Sequence, residues 1–503
     1  MQNIYNSVVR ITANNREIDY LNPNNIIIEG PSIGTGFFIT SKYIITCAHV
    51  IDTAQTITFT IPTISNEKYE AIIKGICPSL DLAILEAVNF KSKYKINMPK
   101  SENINIQDKI SVVGFPLGRD NIKVTQGIIS GLQDGFIQID SAINSGNSGG
   151  PLLKQIDNYI CVIGIISSKV INADGVGYAI PIQYLKIFTG QKPTNKIYNS
   201  CNFLANFSNT SVSRLEMINK LLNPNPNQQN QIKSGYTLSK VSQKSPLVLN
   251  GMEEGDLIIQ FDSKIITNFG EIKMINNNMN SQNQDQIQNQ DQIQNQDQIQ
   301  NQDQIQNQDQ IQNQDQINNS LNALNMQYKI DLVDYVDSLI PGVEYNLSFY
   351  SFKTNSIKNK KIVFSIEDML GIKKIIPFID NFESINIGGL IITPLTFNLI
   401  EKKTKILFKI KKYASYTERF EPKIIVTNIL PTSPFRFNEN INSGDIIAKV
   451  NNISVNTIQE LKKILFELKP NEYVTIVTES NIIDTISYNQ IKNDIEKLKQ
   501  INK

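Results

Sequence analysis

Along residues 1–195 the apolar positions fall into short runs, each bounded by glycine or by polar turn residues. The runs include "TGFFIT", "YIITCAHVI", "TITFTIP", "LAIL", "KISVVGF", "GFIQID", "CVIGIIS" and "GVGYAIPI". Short runs rich in β-branched residues are typical of strands, and their close spacing is typical of an all-β sandwich or barrel. We therefore predict a mainly β domain over residues 1–195.

After residue 195 the pattern changes, and a strand–turn–strand unit occurs twice. Residues 235–266 read "GYTLSKVSQKSPLVLNGMEEGDLIIQFDSKII", and residues 422–455 read "PKIIVTNILPTSPFRFNENINSGDIIAKVNNISV". In both, a strand leads to Ser-Pro, and a short segment then leads to Gly-Asp and a second strand. A repeat on this scale indicates a duplicated module. We place the first copy in residues 196–365 and the second in residues 366–485.

Two further segments have patterns of their own. From about 280 to 319 "NQDQIQ" recurs every six residues, a period that does not align its isoleucines on one helical face. We interpret this tract as a disordered insertion in the first copy, because it buries too little apolar surface; an Asn/Gln assembly segment is the alternative. Residues 486–503 predict a helix that packs on its own domain or on another subunit, with Ile491, Ile495, Leu498 and Ile501 on one face.

Composition and charge exclude several classes of protein. A chain of 503 residues suggests about three domains, and 48 basic against 47 acidic residues predict no nucleic-acid partner. The apolar runs are far shorter than the about 20 residues that span a bilayer, and the N-terminus does not have the pattern of a secretory signal. With four scattered cysteines and one histidine, we expect reduced thiols, no metal, no cofactor and a soluble, intracellular, cytoplasmic protein.

The stretch "INSGNSGGPLL" places Ser148 among glycines, either as a nucleophile or as a hydroxyl in a turn. A nucleophilic serine needs a base, and His49, at the end of "YIITCAHVI", is the one histidine in the sequence. Gly146-x-Ser148-x-Gly150 also fits the nucleophile elbow of α/β-hydrolases, but in that fold the histidine follows the serine. The order His before Ser leaves the chymotrypsin-like arrangement.

The acid that orients the histidine should lie between His49 and Ser148. Asp81 is distinctive because "SLDLAIL" embeds its charge among leucines and isoleucines, which is costly unless the carboxylate is paired. The alternative is an exposed carboxylate at the start of a strand. The backbone amides of Gly146 and Ser148 are the candidates for an oxyanion hole.

Several motifs together resemble those of the HtrA/Deg (DegP-like, trypsin-like) serine proteases. "GTGFFI", "TCAHV", "DLAIL", "SVVGFPLG", "INSGNSGGPLL" and "GVGYAIPI" occur in the order seen in that family. The duplicated segments resemble PDZ domains, and "GGLIITPLTFNLI" resembles the start of the second PDZ domain of the eukaryotic, plant-type Deg proteases.

The resemblance implies a fold and a function. The fold is a chymotrypsin-like double β-barrel followed by two PDZ-like α+β domains, assembled as a trimer or a multiple of it. The function is ATP-independent cleavage of unfolded or damaged proteins by a triad of His49, Asp81 and Ser148. A chaperone or PDZ scaffold with a latent protease domain is the alternative. The sequence departs from the family at Cys47, where Asn is common, and has few N-terminal aromatic residues.

Specificity and peptide binding can also be predicted. In the chymotrypsin-like fold a residue about six positions before the nucleophile lines the primary pocket; here it is Ala142, next to Ile143. We expect cleavage after small or medium aliphatic residues, and activity that rises with pH through about 6.5 as the histidine deprotonates. PDZ domains bind C-terminal peptides by adding a strand to a sheet. The candidates are residues 386–395 in the second copy, where assembly is the alternative role, and in the first copy Gly235, Tyr236, Thr237 and Leu238.

Overall fold

The structure is a computed structural model that describes most of the chain. The described residues are 2–23, 25–99, 104–133, 135–156, 159–167, 176–190, 195–222, 231–273, 330–365, 371–402, 407–415, 418–438 and 440–501. The NQDQIQ tract at about 280–319 lies outside them, so its interpretation as an insertion stays a prediction. None of the described helices is long and apolar enough to cross a membrane.

Seven strands near the start of the chain form one sheet, and six of them, all but the second in chain order, close into the first barrel. They are β1 (Val8–Ile18), β2 (Ile26–Ile28), β3 (Ser32–Phe38), β4 (Tyr43–Cys47), β5 (Ala54–Ile61), β6 (Ser65–Cys77) and β7 (Leu82–Ala87), preceded by α1 (Gln2–Tyr5). The sheet order is β2-β1-β3-β4-β7-β6-β5, and β1 also pairs with β5, which closes the barrel. Along β1, Val9, Ile11 and Ala13 are buried and alternate with more exposed residues, the period of two that a strand requires.

Six strands form the second barrel. They are β8 (Lys109–Gly114), β9 (Lys123–Gln133), β10 (Phe136–Ile139), β11 (Pro151–Ile156), β12 (Tyr159–Ser167) and β13 (Gly177–Pro181), and α2 (Ile187–Gly190) follows. The barrel closes in the order β10-β13-β12-β11-β8-β9. Phe115 and Val162 from this half share one core with Phe37 and Phe59 of the first barrel. The predicted double β-barrel is confirmed.

The first module is a sheet with short helices. Its strands are β14 (Ala205–Ser208), β15 (Tyr236–Val241), β16 (Leu257–Phe261), β17 (Lys264–Ile266), β18 (Glu271–Lys273), β19 (Ile330–Asp331), β20 (Glu344–Ser351) and β21 (Ser356–Val363). Its helices are α3 (Val212–Leu222), α4 (Pro246–Leu249) and α5 (Leu332–Asp337). The order β14-β15-β16-β17-β18-β19 makes β14 an outer strand of this sheet.

The second module has a similar sheet and ends in the predicted C-terminal helix. Its strands are β22 (Ile385–Ile387), β23 (Leu390–Pro394), β24 (Ile424–Ile429), β25 (Ile446–Val450), β26 (Ile453–Ser454), β27 (Tyr473–Thr478) and β28 (Ile483–Ser487). Its helices are α6 (Phe397–Glu401), α7 (Leu407–Ile410), α8 (Pro434–Asn438), α9 (Ile458–Glu467) and α10 (Tyr488–Ile501). Ile491 and Ile495 of α10 are fully buried in the core of this module, so the helix packs on its own domain.

The duplication predicted from the sequence extends to individual hydrogen bonds. Ser245 Oγ donates to the Phe203 carbonyl at 2.6 Å, and Ser433 Oγ donates to the Gly388 carbonyl at 2.5 Å. In both modules the serine precedes the proline that begins a short helix. The correspondence of these bonds makes β14 the counterpart of β23, and β15 the counterpart of β24.

The segment that leads into the second module docks on the first barrel near His49. Lys374 forms a 2.7 Å ion pair with Asp52, three residues after the histidine, and Lys402 pairs with Glu17 of β1 at 2.8 Å. Burial lowers the pKa of Lys374, but Asp52 and other nearby carboxylates outweigh it and raise the pKa overall. The second module is therefore tied by charge pairs to the barrel that carries His49.

Asp337 is a buried carboxyl of the first module with a raised pKa. Asp337 ends α5, and its Oδ1 has no hydrogen-bond partner among the described residues. Burial, and then the charge of Asp334, raise its pKa to about 7, against the opposing effect of Ser200 and Asn202. Burial, and then the charges of Asp334 and Asp337, raise the pKa of Tyr184, which lies in the 3₁₀ segment after β13.

Asp337→Asn is expected to stabilise the protein, and to do so more at pH 8 than at pH 5. The pKa of Asp337 in the folded protein lies above the ordinary carboxyl pKa. The wild type is therefore most stable at a pH below the ordinary carboxyl pKa, and it loses stability as the pH rises to about 7 and the buried carboxyl ionises. The amide of the variant does not ionise, so the variant keeps its free energy of unfolding over this pH range. Melting temperatures at the two pH values test this, with the exposed Asp120→Asn as control; a gain that does not depend on pH would contradict it.

Candidate active site

The three predicted catalytic residues lie on segments that meet between the barrels. His49 lies in the 3₁₀ turn Ala48–Val50, directly after β4. Asp81 lies in the turn between β6 and β7, and Ser148 lies in the loop between β10 and β11. The first barrel therefore supplies the histidine and the aspartate, and the second supplies the serine.

His49 and Asp81 form a close pair. The ring nitrogen Nδ1 of His49 lies 2.9 Å from Oδ1 and 2.8 Å from Oδ2 of Asp81. The backbone N–H of His49 also donates to Asp81 Oδ1 at 2.9 Å. An Nδ1 that donates to a carboxylate leaves Nε2 as the acceptor, which is the tautomer that a general base requires.

Strand register explains why these two residues meet. In the pairing of β4 with β7, Cys47 lies opposite Leu82, and the next residues continue the contact because the Ala48 N–H donates to the Asp81 carbonyl at 3.0 Å. Asp81 has a left-handed φ of 54°, a conformation that Asp tolerates better than most residues. Its carboxylate is thereby directed at the residue after Ala48.

Ser167 is a partner of the pair that the sequence analysis missed. Its Oγ donates to Asp81 Oδ2 at 2.8 Å, and it is 1% exposed at the end of β12. Asp81 thus accepts hydrogen bonds from both His49 groups and from this hydroxyl. The available signal was weak, since Ser167 is the first of two serines that follow the apolar run "CVIGII".

Other aspartates between His49 and Ser148 form ion pairs or hydrogen bonds with groups other than the histidine. Asp52 pairs with Lys374, and Asp108 pairs with Lys154 at 2.5 Å. Asp140 accepts the Ile128 N–H at 2.6 Å. Among the described aspartates between His49 and Ser148, Asp81 is the one that hydrogen-bonds to the histidine.

The loop around Ser148 is fastened to both barrels by its backbone. The Thr35 N–H of β3 donates to the Ser148 carbonyl at 2.9 Å, and the Gly149 N–H donates to the Ile166 carbonyl at 2.8 Å. A Cβ added at Gly149 would lie 3.0 Å from the Cys47 nitrogen and 2.2 Å from the Thr35 carbonyl oxygen. Gly149 therefore lies against β4, the strand that directly precedes the turn with His49, and no larger residue fits at this position.

Gly146 has a backbone conformation that explains the choice of glycine. Its φ is +96°, and an added Cβ would lie 2.4 Å from the Phe115 carbonyl oxygen. Both the dihedral angle and the contact exclude a side chain. The chain can therefore turn inward two residues before Ser148.

The two predicted pocket residues differ in their surroundings. Ala142 is exposed, whereas Ile143 is half-buried and lies against β13. A Cβ added at Gly177 would lie 2.4 Å from Ile143 Cδ1. The isoleucine thus occupies space beside β13.

Cys47 belongs to the buried surroundings of the site. Its thiol is 0% exposed and donates to the Ile166 carbonyl at 3.2 Å. Burial, and then the charge of Asp81, raise the pKa of this thiol well above its usual value. A protonated, buried thiol is inert, which disfavours a mechanism with Cys47 as nucleophile.

The sulfur of Cys47 and the ligand atoms of His49 and Asp81 lie within 4.8 Å of one another. Two ligands of one zinc ion lie about 3.3 Å apart, because each bond is about 2.0–2.1 Å long and the angle is tetrahedral. The distances of 2.8 and 2.9 Å between Nδ1 and the carboxylate are shorter. This geometry fits a hydrogen-bonded pair rather than a metal centre.

The peptide-binding residues predicted for the first module lie in the wrong part of its sheet. Tyr236, Thr237 and Leu238 belong to β15, and Gly235 precedes it. Because β15 pairs with β14 on one side and with β16 on the other, a peptide has no edge to join there. The error arose because the sequence repeat begins at β15 and does not include the short strand β14.

The comparisons with known proteins agree with the architecture. Residues 34–165 match the family model of the trypsin-like peptidase domain, and residues 401–479 match that of the PDZ domain. The first match includes His49, Asp81 and Ser148. The chain therefore contains a trypsin-like peptidase domain and a PDZ domain, the latter in the second module.

Several curated proteins are similar to this chain. It is 29% identical to a DegP-like periplasmic serine endoprotease of Buchnera aphidicola (48% of this chain, 52% of that protein) and 30% identical to the mitochondrial Do-like 3 protease of Arabidopsis thaliana (52% and 47%). It is 31% identical to the serine protease HhoA of Synechocystis (48% and 63%). The chain thus spans about half the length of the curated relatives it matches.

A solved structure of the HtrA-type protease AlgW with tripeptide aligns over 73% of this chain and 95% of its own, at 19% identity and a TM-score of 0.45. The family models and the named relatives confirm the resemblance to HtrA/Deg serine proteases.

Proposed function

We propose that this chain, a trypsin-like peptidase domain joined to PDZ modules and related to DegP-like and Do-like proteases, is a serine endopeptidase that cleaves unfolded or damaged proteins. The observation that carries the proposal is the His49–Asp81 pair, beside a tightly fastened loop that bears Ser148. Hydrolysis of a peptide bond is favourable in water, and this pair together with Ser148 would supply each proton transfer. The reaction therefore calls for no ATP.

Each residue has a role in this mechanism. His49 Nε2 takes the proton of Ser148 Oγ as the oxygen attacks the carbonyl carbon of the substrate, and then gives that proton to the leaving amine. Asp81 stabilises the imidazolium that forms, and Ser167 holds the carboxylate in place. The amides of Gly146 and Ser148 stabilise the oxyanion. Water then releases the acyl group by the same steps in reverse.

The pocket residues support a preference for small or medium aliphatic side chains before the scissile bond. Ile143 fills space against Gly177, and neither Ala142 nor Ile143 can pair with a basic side chain. Pockets of this kind discriminate by only about 1–3 kcal/mol per methylene, so the preference is a loose one. Sequencing of the fragments that the protein produces from casein tests this preference, and cleavage mainly after Lys or Arg would contradict it.

A second candidate function is a chaperone or PDZ scaffold whose protease domain is latent. The observation that favours it is the outer strand β14, which can hold an extended chain without any chemistry. Digestion of casein by the wild type and by Ser148→Ala separates the two. Cleavage that the variant loses supports the endopeptidase. Absence of cleavage by the wild type, with suppression of casein aggregation by both proteins, supports the scaffold.

The two modules are suited to different tasks. In the first, β14 is the outer strand, and the counterpart of β14 in the second, β23, is covered by β22. The Gly388 N–H of the β22–β23 turn also donates to Asp494 Oδ2 of α10 at 2.9 Å. A carboxylate of the chain itself therefore lies at the turn where a peptide carboxylate would bind. We assign peptide binding to the first module and a structural role to the second.

Hydrogen exchange tests this assignment. A peptide with an aliphatic C-terminal residue and an unmodified carboxylate is expected to slow exchange of the amides in residues 202–208, but not in residues 387–393. The same peptide with an amidated C-terminus is the matched control and should protect neither segment. Protection of residues 387–393 or of residues 236–238, without protection of 202–208, would overturn the assignment.

A further inference from the structure

We propose that Arg10 is a positioning residue that holds the oxyanion-hole amide of Gly146 in its working orientation. The inference rests on the proposed endopeptidase function. Arg10 is on β1, far from Ser148 in sequence, and it acts through the turn at residues 115–118.

Arg10 grips this turn with two donors. Its Nε donates to the Gly118 carbonyl at 3.1 Å, and its Nη2 donates to the same oxygen at 2.8 Å. The side chain is 16% exposed, so these bonds are largely shielded from water. Asp120 lies 3.6 Å from Nε but is 83% exposed, and it adds little to the grip.

The turn is strained and needs such support. Leu117 has a φ of 57° and Gly118 a φ of 67°. The left-handed region is unfavourable for leucine, and such a conformation persists only where neighbouring groups hold it. The Leu117 side chain is 66% exposed, so packing of that side chain does not provide the restraint. The guanidinium on the next carbonyl provides it.

This turn orients the peptide bond between Ser145 and Gly146. The Leu117 N–H donates to the Ser145 carbonyl at 2.6 Å. The described peptide bonds include no cis bond, and in a trans peptide the C=O and N–H point in opposite directions. With the Ser145 carbonyl directed at the turn, the Gly146 N–H must point away from it. Rotation of this one peptide unit would remove the donor from the oxyanion hole.

Thr35 restrains the peptide unit on the other side of Gly146. Its Oγ1 donates to the Gly146 carbonyl at 2.7 Å and accepts the Phe115 N–H at 3.1 Å. The loop at Gly146 is thus held between a buried threonine and the turn gripped by Arg10. Of the two restraints, the one from Arg10 depends on a long, flexible side chain.

An arginine suits this task better than a lysine. A guanidinium presents several N–H donors in a fixed plane and stays charged throughout the working pH range, so two of them can bind one carbonyl. A lysine ammonium can reach the oxygen as a point charge but does not fix the plane. Arg10→Lys should therefore retain only part of the effect, and Arg10→Met should lose all of it.

The test is the rate at which a fluorophosphonate probe labels Ser148, together with kcat and KM on casein-derived peptides. Arg10→Met is expected to lower both kcat and the labelling rate about 10-fold, with KM unchanged, since complete loss of a donor costs about 10²–10³. Arg10→Lys should fall between Arg10→Met and the wild type. Arg16→Gln, on the same strand, is the matched control and should behave as the wild type.

The outcomes separate the inference from the proposed function. If the wild type is neither labelled nor active, the endopeptidase proposal fails. If the wild type is labelled and both Arg10 variants react at its rate, the role of Arg10 is refuted. If Arg10→Met does not fold, Arg10→Lys alone decides, since unchanged labelling there would refute the role. A loss confined to KM would also contradict it.

Discussion

Ser148→Ala is expected to lower kcat for peptide hydrolysis by a factor on the order of 10⁶, because it removes the hydroxyl on which the proposed acyl-enzyme forms. Cys47, the nearby alternative nucleophile, is buried and its pKa is raised, so it cannot substitute. The alanine removes a single oxygen from a residue that is 3% exposed, and the loop bonds are made by the backbone. Folding should therefore be unaffected.

The measurement is casein digestion and fluorophosphonate labelling of the wild type and the variant at equal concentration. Ser92→Ala is the matched control, since Ser92 is a buried serine of the same domain whose Oγ donates to the Tyr94 carbonyl at 2.7 Å. It should retain full activity. Residual cleavage by Ser148→Ala at more than a few per cent of the wild-type rate would show that another residue is the nucleophile.

Asp81→Asn is expected to lower kcat by a factor on the order of 10⁴ near neutral pH. An amide presents an NH₂ group as well as an oxygen, and it can stabilise the histidine tautomer with the proton on Nε2, which is not a base toward Ser148. The two His49 donors and Ser167 now bind one carboxylate, so the amide also leaves at least one of these donors poorly placed. The imidazolium that forms during attack loses its counter-charge.

Activity against pH is the most informative readout for this variant. At every pH at which the wild type is active, Asp81→Asn should stay slow, because the amide supplies no counter-charge to the imidazolium. Asp108→Asn is the control, because it also breaks an ion pair of the same domain, that with Lys154. An Asp81→Asn rate within 10-fold of the wild type would exclude Asp81 as the orienting acid.

Under the assignment proposed above, the second module contributes stability and placement, and the first module holds the peptide site. Its link to the barrels includes the Lys374–Asp52 pair close to His49. Within the second module, β22 pairs with β23 and so covers the edge that corresponds to the outer edge of β14 in the first module. Two copies of one sequence pattern therefore differ in which strand lies at the edge of the sheet. The difference comes from segments outside the repeat, namely β22 and α10.

The sequence by itself determined the mainly β class, the duplicated module and the order of the candidate catalytic residues. Runs of β-branched residues indicate strands from local sequence alone. A repeated spacing from Ser-Pro to Gly-Asp indicates duplication, again without any tertiary information. A chain with one histidine leaves one possible imidazole base, and a carboxylate among leucines must have a partner, so His49 and Asp81 could be paired before the structure was known.

Only the tertiary structure decided which residues support that pair and the Ser148 loop, and which described strand lies at the edge of its sheet. Ser167, Thr35 and Arg10 are far in sequence from the groups they bind, and nothing in their local sequence distinguishes them from other polar residues on strands. The misplaced peptide site at Gly235–Leu238 has the same origin. Whether a strand is an edge depends on the pairing of distant segments, which is set when the sheet assembles and not by the residues of the strand itself.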